Sequence, residues 1–546
     1  MKKIFYLYDA GHVSEKVKSE VEKIFTSDGK FSFEMDSDTK ILCSLKGKNY
    51  GSLIIFISEE KKLTEKEQKG IIDYVKSGGG VVFINSSIEC ILKNPEIKRI
   101  SGISAIENKG IQQFSVFIDD NGHYITTRFP SEFVLTDRFY YTRVNNSKII
   151  FSTPWCNEKS CVVCTSEYEN GRFVFISPGG CIYTWKNFDF RKIVLRSAAW
   201  CCGEKQKEKT INCGLIGYGP MFGMGKGHAT WIDSTTGMKT IAMCDTNPER
   251  VNAAKQELPN LKGYFTTPDD MLKMKEIDLV VGIVPHNVHA DIALKAFDYG
   301  KHVILEKPFC INIKEANKLI ETAKKKNLLL SVFHNRRWDG DYIIIRDIVE
   351  KGLIGEIFHI ECFIGSFSHP RYWWRSDKKI SGGIMHDWGA HFIDWILNLI
   401  PSKITGIYGD FQKRVWFSVS NEDHGQAIIR FENGTTADFM ISSISAISRP
   451  KWKIFGTKGA IEIFWESADK VNLVSYASGI KQESTVMVTI PRYGSTEYYR
   501  NIADHLLMNE ELIVKPEQSR RVIGVVEAAE QSSKTGKIVA AFENCE

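Results

Sequence analysis

Gly217, Gly219 and Gly223 close a short apolar run, Ile211-Asn212-Cys213-Gly214-Leu215-Ile216, within Gly217-Tyr218-Gly219-Pro220-Met221-Phe222-Gly223. Glycines placed straight after a buried strand permit a tight turn and let the backbone approach a pyrophosphate, whose charge the free amides of the next helix hold. The strict dinucleotide spacing asks for glycine where this chain has Phe222 and finds it one residue later, at Gly223. A second apolar run, Lys239-Thr240-Ile241-Ala242-Met243-Cys244-Asp245, ends in an acid 28 positions after Gly217. That is near the separation of about 20 residues at which a carboxylate meets the adenosine ribose. Asp245 would accept both ribose hydroxyls and repel a 2′-phosphate, which favours NAD over NADP. The same residue also suits the opening of a turn in Asp245-Thr246-Asn247-Pro248.

Two other groupings have metal-ligand character. Cys161 and Cys164 are spaced like a thiolate pair on zinc, but no second pair of suitable spacing follows. Ser160 to Ser166 reads as an apolar strand, so structural thiols are expected. His386, Asp387, His391 and Asp394 are dense in ligand types, yet His386 and His391 are five apart and face different directions on a helix. No metal is expected. Asp387 and His391, four apart, share one helical face. Phe392, Ile393, Trp395, Ile396 and Leu399 recur at helical spacing as packing residues.

The elements that must position these groups follow from the apolar pattern. A strand from Ile277 to Val284 ends at Pro285-His286-Asn287-Val288-His289, and another from Lys301 to Leu305 ends at Glu306-Lys307-Pro308. Both ends fall at the carboxyl edge of a parallel sheet, where ligands bind in open α/β folds. Beyond Gly355, the runs Ile357 to Phe363, Gln426 to Phe431 and Thr436 to Ile441 are short strands separated by turns, which gives an antiparallel sheet. In the first 200 residues, Ser52 to Ile57 and Val81 to Ile84 flank a helical segment. That segment opens on the capping box Thr64-Glu65-Lys66-Glu67 and stops at Gly78-Gly79-Gly80, the alternation of a parallel sheet with helices on its faces. Asn170-Gly171 joins two further runs as a hairpin and points to antiparallel pairing at one edge. Gly203-Glu204-Lys205-Gln206-Lys207-Glu208-Lys209 contains no apolar residue and marks a linker.

A chain of 546 residues exceeds what one hydrophobic core organises. Its 43% hydrophobic and 25% charged residues exclude disorder. The net charge of +5 arises from 71 basic and 66 acidic residues without a long basic block, which excludes nucleic acid as the expected partner. Asp9 cuts the run Ile4 to Tyr8 too short for a signal sequence, and no window approaches the roughly 18 apolar residues of a membrane span. A soluble, cytoplasmic protein is expected, its 13 cysteines remaining thiols.

The N-terminal segment resembles the ThuA-like (trehalose utilisation) family, whose members have a class I glutamine-amidotransferase-like sheet and are associated with disaccharide metabolism. The resemblance rests on Leu63 to Glu67 leading to Tyr74 through Gly80, on Phe133 through Tyr141, and on Glu169 through Phe175. The chain departs from that family at Ile84-Asn85-Ser86, where a histidine commonly follows the strand, and at Pro178-Gly179-Gly180, where Gly-His is usual. His12 remains as a candidate site residue.

Residues from about 210 to 546 resemble the Gfo/Idh/MocA family of oxidoreductases. The matching features are the glycine loop, Pro285 through His289, Gly300-Lys301-His302-Val303 with Glu306-Lys307-Pro308, and Asn335-Arg336-Arg337. Trp374-Arg375, Gly382 through Asp394, and Ser532-Ser533-Lys534-Thr535-Gly536 match as well. Together the resemblances imply an α/β protein: a flavodoxin- or amidotransferase-like parallel-sheet domain over 1–203, a linker over 204–209, an NAD-binding Rossmann domain over 210–333, and an α+β domain over 334–546. The last domain carries a mostly antiparallel open sheet whose free face implies a homo-oligomer, a dimer or tetramer. The family assigns catalysis to Lys307, Asp387 and His391. Cofactor contacts would come from Gly217, Gly219, Met221, Phe222, Gly223, Asp245, Pro285, His286, Asn287, His289, Glu306, Lys307, Asn335, Arg336 and Arg375, and substrate contacts from Lys307, Trp374, Arg375, Asp387 and His391.

The implied reaction moves hydride between a ring hydroxyl of a sugar, glycoside or polyol and the nicotinamide of NAD. A base near neutral pKa must then touch the hydroxyl. His391 suits that role, Lys307 stabilises or relays at the alkoxide, and Asp387 orients the ring or binds substrate. Two alternatives stay open: a redox-neutral glycoside hydrolase or lyase that recycles tightly bound NAD, and a non-catalytic NAD-binding sensor or scaffold.

Overall fold

The computed structural model describes residues 2–26, 30–45, 47–89, 92–205, 209–488 and 494–540. Residues 206–208 of the expected linker lie outside them. The chain divides into two compact units, Met1–Glu208 with Asp504–Glu511, and Lys209–Ala503 with Leu512–Glu546. Asp504–Glu511, which the sequence placed in the last domain, therefore clusters with the first unit. Charge explains the assignment. Lys192 Nζ lies 2.6 Å from Asp504 Oδ2, Arg196 Nη2 lies 2.8 Å from Asp504 Oδ1, and Arg128 donates to the same carboxylate. Arg196 Nε also donates to Glu510 Oε1 at 2.6 Å. All three cations are buried, and buried charges persist only when paired and hydrogen-bonded.

In the first unit, five parallel strands run in the order Phe31–Asp36, Lys2–Tyr8, Tyr50–Phe56, Gly80–Ile84, Gly171–Ile176. Four antiparallel strands, Glu158–Tyr168, Lys148–Trp155, Ile103–Ile118 and Glu132–Val144, extend the sheet. The helix Glu65–Lys76 starts at the expected capping box on Thr64. The expected hairpin forms, but its two-residue loop is Glu169-Asn170, because Gly171 is already paired with Tyr168. Gly171 is needed there for space: a Cβ would stand 2.0 Å from the Val75 carbonyl oxygen. Cys161 and Cys164 lie buried in this sheet, and burial pushes the Cys161 thiol well above its ordinary value.

The second unit begins with a six-stranded parallel sheet in the order Gly263–Phe265, Met238–Cys244, Ile211–Ile216, Leu279–Gly282, His302–Leu305, Leu330–Val332. Strand order reverses beside Ile211–Ile216, so a crevice opens at the carboxyl ends of the strands, as in other dinucleotide folds. A nine-stranded sheet follows, antiparallel except where Ile357–Gly365 runs parallel to Thr436–Ser442. Helix Ile384–Leu399 packs Phe392 and Trp395 onto Phe439 and Trp452 of that sheet. Helix Pro516–Thr535 approaches so closely that a Cβ on Gly409 would stand 2.0 Å from the Ala529 carbonyl oxygen. Among the described residues no helix is long and apolar enough to cross a membrane.

Candidate functional site

The glycine loop follows strand Ile211–Ile216 and leads into helix Met224–Asp233. At Gly217 (φ 104°) a Cβ would stand 2.0 Å from the Ile283 carbonyl oxygen, so only glycine makes this turn. Beyond it the loop opens. A Cβ at Gly219 would meet only Arg250 Nη1 at 3.7 Å, and at Gly223 nothing within 4 Å. Phe222 adopts φ 66° and its side chain is exposed. These residues fit a bound dinucleotide: an uncrowded backbone stands where a pyrophosphate would lie at a helix start. Asp245 opens the turn after strand Met238–Cys244 and also reaches the glycine loop. Its Oδ2 accepts from Tyr218 N at 2.7 Å and its Oδ1 from Asn247 N at 2.9 Å, which ties the loop to the turn. Arg250 Nη1 lies 3.7 Å away.

Lys307 follows strand His302–Leu305, and the Lys307–Pro308 peptide is cis. Its Nζ donates to Asp387 Oδ1 at 2.7 Å and to the Asp387 carbonyl oxygen at 3.3 Å. Arg375 Nη1 donates to the same Oδ1 at 2.7 Å. Burial opposes the charge of Asp387, but the Lys307 and Arg375 cations outweigh it and hold this carboxyl far below its usual range. One helical turn on, His391 is buried and its Nδ1 has no partner. Burial, and next the cations Lys307 and Arg336, keep its ring neutral well below the ordinary imidazole value. The helix that carries both groups is anchored elsewhere: Asp394 receives Arg337 Nε at 2.8 Å and Nη2 at 2.5 Å.

Around this pair the structure gathers several of the expected residues. Arg375 lies over the rings of Phe222 (5.4 Å) and Trp374 (5.0 Å), and also over Trp373. Trp374 meets the ring of His286 at 4.8 Å. Arg336 lies over Trp388 at 4.8 Å and donates to Asp339. Asn335 donates to Ser495 Oγ, and Pro285 and Asn287 flank His286 at the strand end. His286 Nδ1 donates to the Ser381 carbonyl oxygen at 2.7 Å, which leaves Nε2 a buried acceptor without a partner.

Two expected cofactor contacts are occupied internally. His289 is buried with its ring nitrogens 2.9 Å and 3.0 Å from the carbonyl oxygens of Pro308 and Val284, so its side chain braces two strand ends. Glu306 gives its carboxylate to His228 and to the Lys307 amide.

Three contributors had no reading in the sequence. His334 is buried with neither ring nitrogen hydrogen-bonded, and its ring lies 6.3 Å from that of His391. Its immediate neighbour Asn335 carried the only local signal. Asn421 donates to the Arg375 carbonyl oxygen at 2.6 Å and accepts from Ser381 Oγ at 3.1 Å, clamping the turn that carries Arg375. His228 stands behind Glu306. His12, the candidate of the first unit, is exposed and packs edge-on against Phe56 at 5.5 Å. Among the described residues no group of three or more ligand-type side chains is placed to hold a metal ion.

Comparison with known proteins accounts for this arrangement. Residues 211–334 match the oxidoreductase family with NAD-binding Rossmann fold, 342–462 the GFO/IDH/MocA C-terminal domain, and 4–201 the trehalose utilisation (ThuA) model. An oxidoreductase of Formosa agariphila is 30% identical over 301 residues, covering 54% of this chain and 91% of its own length. The scyllo-inositol 2-dehydrogenase (NADP(+)) of Bacillus subtilis is 24% identical over 367 residues, covering 61% of this chain and 97% of the enzyme. Two oxidoreductases of Schizosaccharomyces pombe are 32% and 38% identical, and the chain spans only 59% and 42% of their lengths. The solved structure of an NAD-binding protein from Listeria innocua superposes with a TM-score of 0.56 at 28% identity, covering 62% of this chain and 99% of that one. A glycine loop where the strand order reverses, a lysine after the fifth strand of its sheet order and these relatives agree: the chain belongs to the GFO/IDH/MocA oxidoreductases with an NAD-binding Rossmann fold, preceded by a ThuA domain.

Proposed function

We propose that residues 209–546 oxidise a ring hydroxyl of a sugar or cyclic polyol, with Lys307, Asp387 and His391 at the reacting oxygen. The observation that carries this reading is Lys307 Nζ held 2.7 Å from Asp387 Oδ1, one helical turn from a buried neutral His391 with an unpartnered ring nitrogen. Bound NAD supplies the hydride acceptor. The chain supplies the rest. His391, neutral, takes the hydroxyl proton on a ring nitrogen. Lys307 steadies the negative charge that grows on the oxygen, and Asp387 keeps Lys307 and Arg375 converged. His286 Nε2 and the two nitrogens of His334 are buried groups without hydrogen bonds, a costly condition that a ligand rich in hydroxyls relieves. The relationship to scyllo-inositol 2-dehydrogenase supports a cyclic polyol as the first substrate to try.

Incubating the protein with NAD and a panel of inositols, monosaccharides and glycosides tests the reading. The expected result is NADH formed in proportion to substrate, with Lys307→Ala at least about 100-fold slower. Aglycone release without net NADH, or an unchanged rate in Lys307→Ala, would overturn it. We also infer a homo-oligomer built on the nine-stranded sheet, whose Phe358 and Tyr408 are exposed. A monomeric mass by light scattering would remove that inference.

A further inference from the structure

Behind Lys307 lies a chain of three polar groups drawn from distant parts of the sequence, two of them fully buried. Tyr499, on helix Ser495–Met508, has its hydroxyl 2.6 Å from His228 Nδ1. His228, on helix Met224–Asp233, has Nε2 3.0 Å from Glu306 Oε1. Glu306 Oε2 accepts the Lys307 amide at 3.0 Å, and the Glu306 amide is itself tied to the Gly282 carbonyl oxygen at 3.0 Å. The surroundings are dry and aromatic: the His228 ring is fully buried, 4.5 Å from Phe333 and 5.3 Å from Trp231.

Donor and acceptor counting fixes the direction of the chain. Glu306 stays ionised: burial raises its carboxyl, yet His228 and Lys307 draw it below its ordinary value. A carboxylate only accepts, so Nε2 carries a hydrogen toward it. Tyr499 stays protonated, since burial pushes its phenol well above the ordinary value. Among the described residues its recorded partner is Nδ1, so the hydroxyl donates there and that nitrogen offers its lone pair. Every group is then satisfied by one arrangement, Tyr499 to His228 to Glu306, with the Lys307 amide closing on the other carboxylate oxygen. The opposite tautomer would turn a lone pair on a carboxylate, a repulsive contact.

We propose that Tyr499 and His228 are positioning residues that lock Glu306 and, through it, the backbone of Lys307 in the geometry used for hydride transfer. The inference rests on the reading of Lys307 given above. The titratable and charged groups that feel Glu306 are His228, Lys307, Arg375, His289, His334, Tyr498 and Tyr499. Among the described residues, Tyr499 alone hydrogen-bonds the far nitrogen of the His228 ring. Removing its hydroxyl frees the ring to turn its tautomer, and Glu306 then gains a proton more readily.

Tyr499→Phe, His228→Gln and His228→Ala separate positioning from mere packing. For each, thermal midpoint, NADH affinity by quenching of protein fluorescence, and the pH profile of kcat with the best polyol are measured. Gln keeps an N–H for Glu306, so it should retain most of kcat. Ala should lose about 10- to 100-fold, the value of a buried hydrogen bond to a charged group. Tyr499→Phe should keep its fold, weaken NADH binding and move the acid limb of kcat to higher pH. If Tyr499→Phe keeps wild-type NADH affinity and pH profile, or His228→Gln loses as much kcat as His228→Ala, the proposal is overturned, whatever Ala does to the fold. Should the wild type oxidise no polyol, the functional reading fails, and NADH affinity in the same variants still decides the positioning role.

Discussion

His391 is the group whose protonation the reaction needs, and its surroundings set when it is available. Burial and the adjacent cations keep the ring neutral down to a pH well below its ordinary value. The acid limb of kcat/KM should therefore fall below about 6.5, the usual imidazole midpoint. His391→Asn keeps hydrogen bonding without basicity and should lower kcat by about 100-fold or more. A pH profile of the wild type and steady-state rates of the variant check both. An acid limb above the imidazole midpoint would point to another base. Asp387→Asn should behave differently. It leaves Lys307 and Arg375 without the charge on which both converge, so both KM and kcat should worsen.

At the scale of elements, what could be read in advance was local. Strand Ile211–Ile216 with its glycines, the capping box at Thr64 and the four-residue spacing of Asp387 and His391 are patterns within one turn or one strand. Asp245 shows the limit of such patterns. Its spacing favoured a ribose ligand over a turn, and its oxygens hold the Tyr218 and Asn247 amides. His289 stood in a recognisable motif, yet its environment, two backbone carbonyls in a dry interior, arises only when two strand ends come together. His228 and Tyr499 are 271 positions apart, beyond any periodicity. Asn421 is of the same kind. Replacing it with Ala should loosen the turn carrying Arg375, raising KM several-fold while the thermal midpoint moves little, because the core under helix Ile384–Leu399 is untouched. An unchanged KM would deny the clamp.

At the scale of the molecule, stability should respond to acid through the second unit's buried imidazoles. His286, His289, His334, His386 and His391 are all lowered, first by burial, and His334 is pushed down to about 4. Below about 6.5 the unfolded chain binds protons at these rings and the folded chain does not, so unfolding takes up protons. Stability is retained above that value and is lost as pH falls from 6.5 toward 4, by about 1.4 kcal/mol per pH unit for His334, with the other rings acting in the same direction. Thermal midpoints measured down this range should drop steadily, and a flat profile would contradict the neutral rings. The first unit has a different weak point. Asp504→Asn strips the charge from a carboxylate shared by Arg128, Lys192 and Arg196. Breaking such a buried group costs about 3–5 kcal/mol, which lowers the transition of that unit by roughly 10 °C.

Because Asp504–Glu511 completes the first unit, residues up to Glu208 leave the ribosome well before the acids that finish their packing. Until those acids emerge, Arg128, Lys192 and Arg196 lack these counter-ions, and the nascent segment stays unfinished while the intervening unit is made, a client for whatever holds incomplete chains apart.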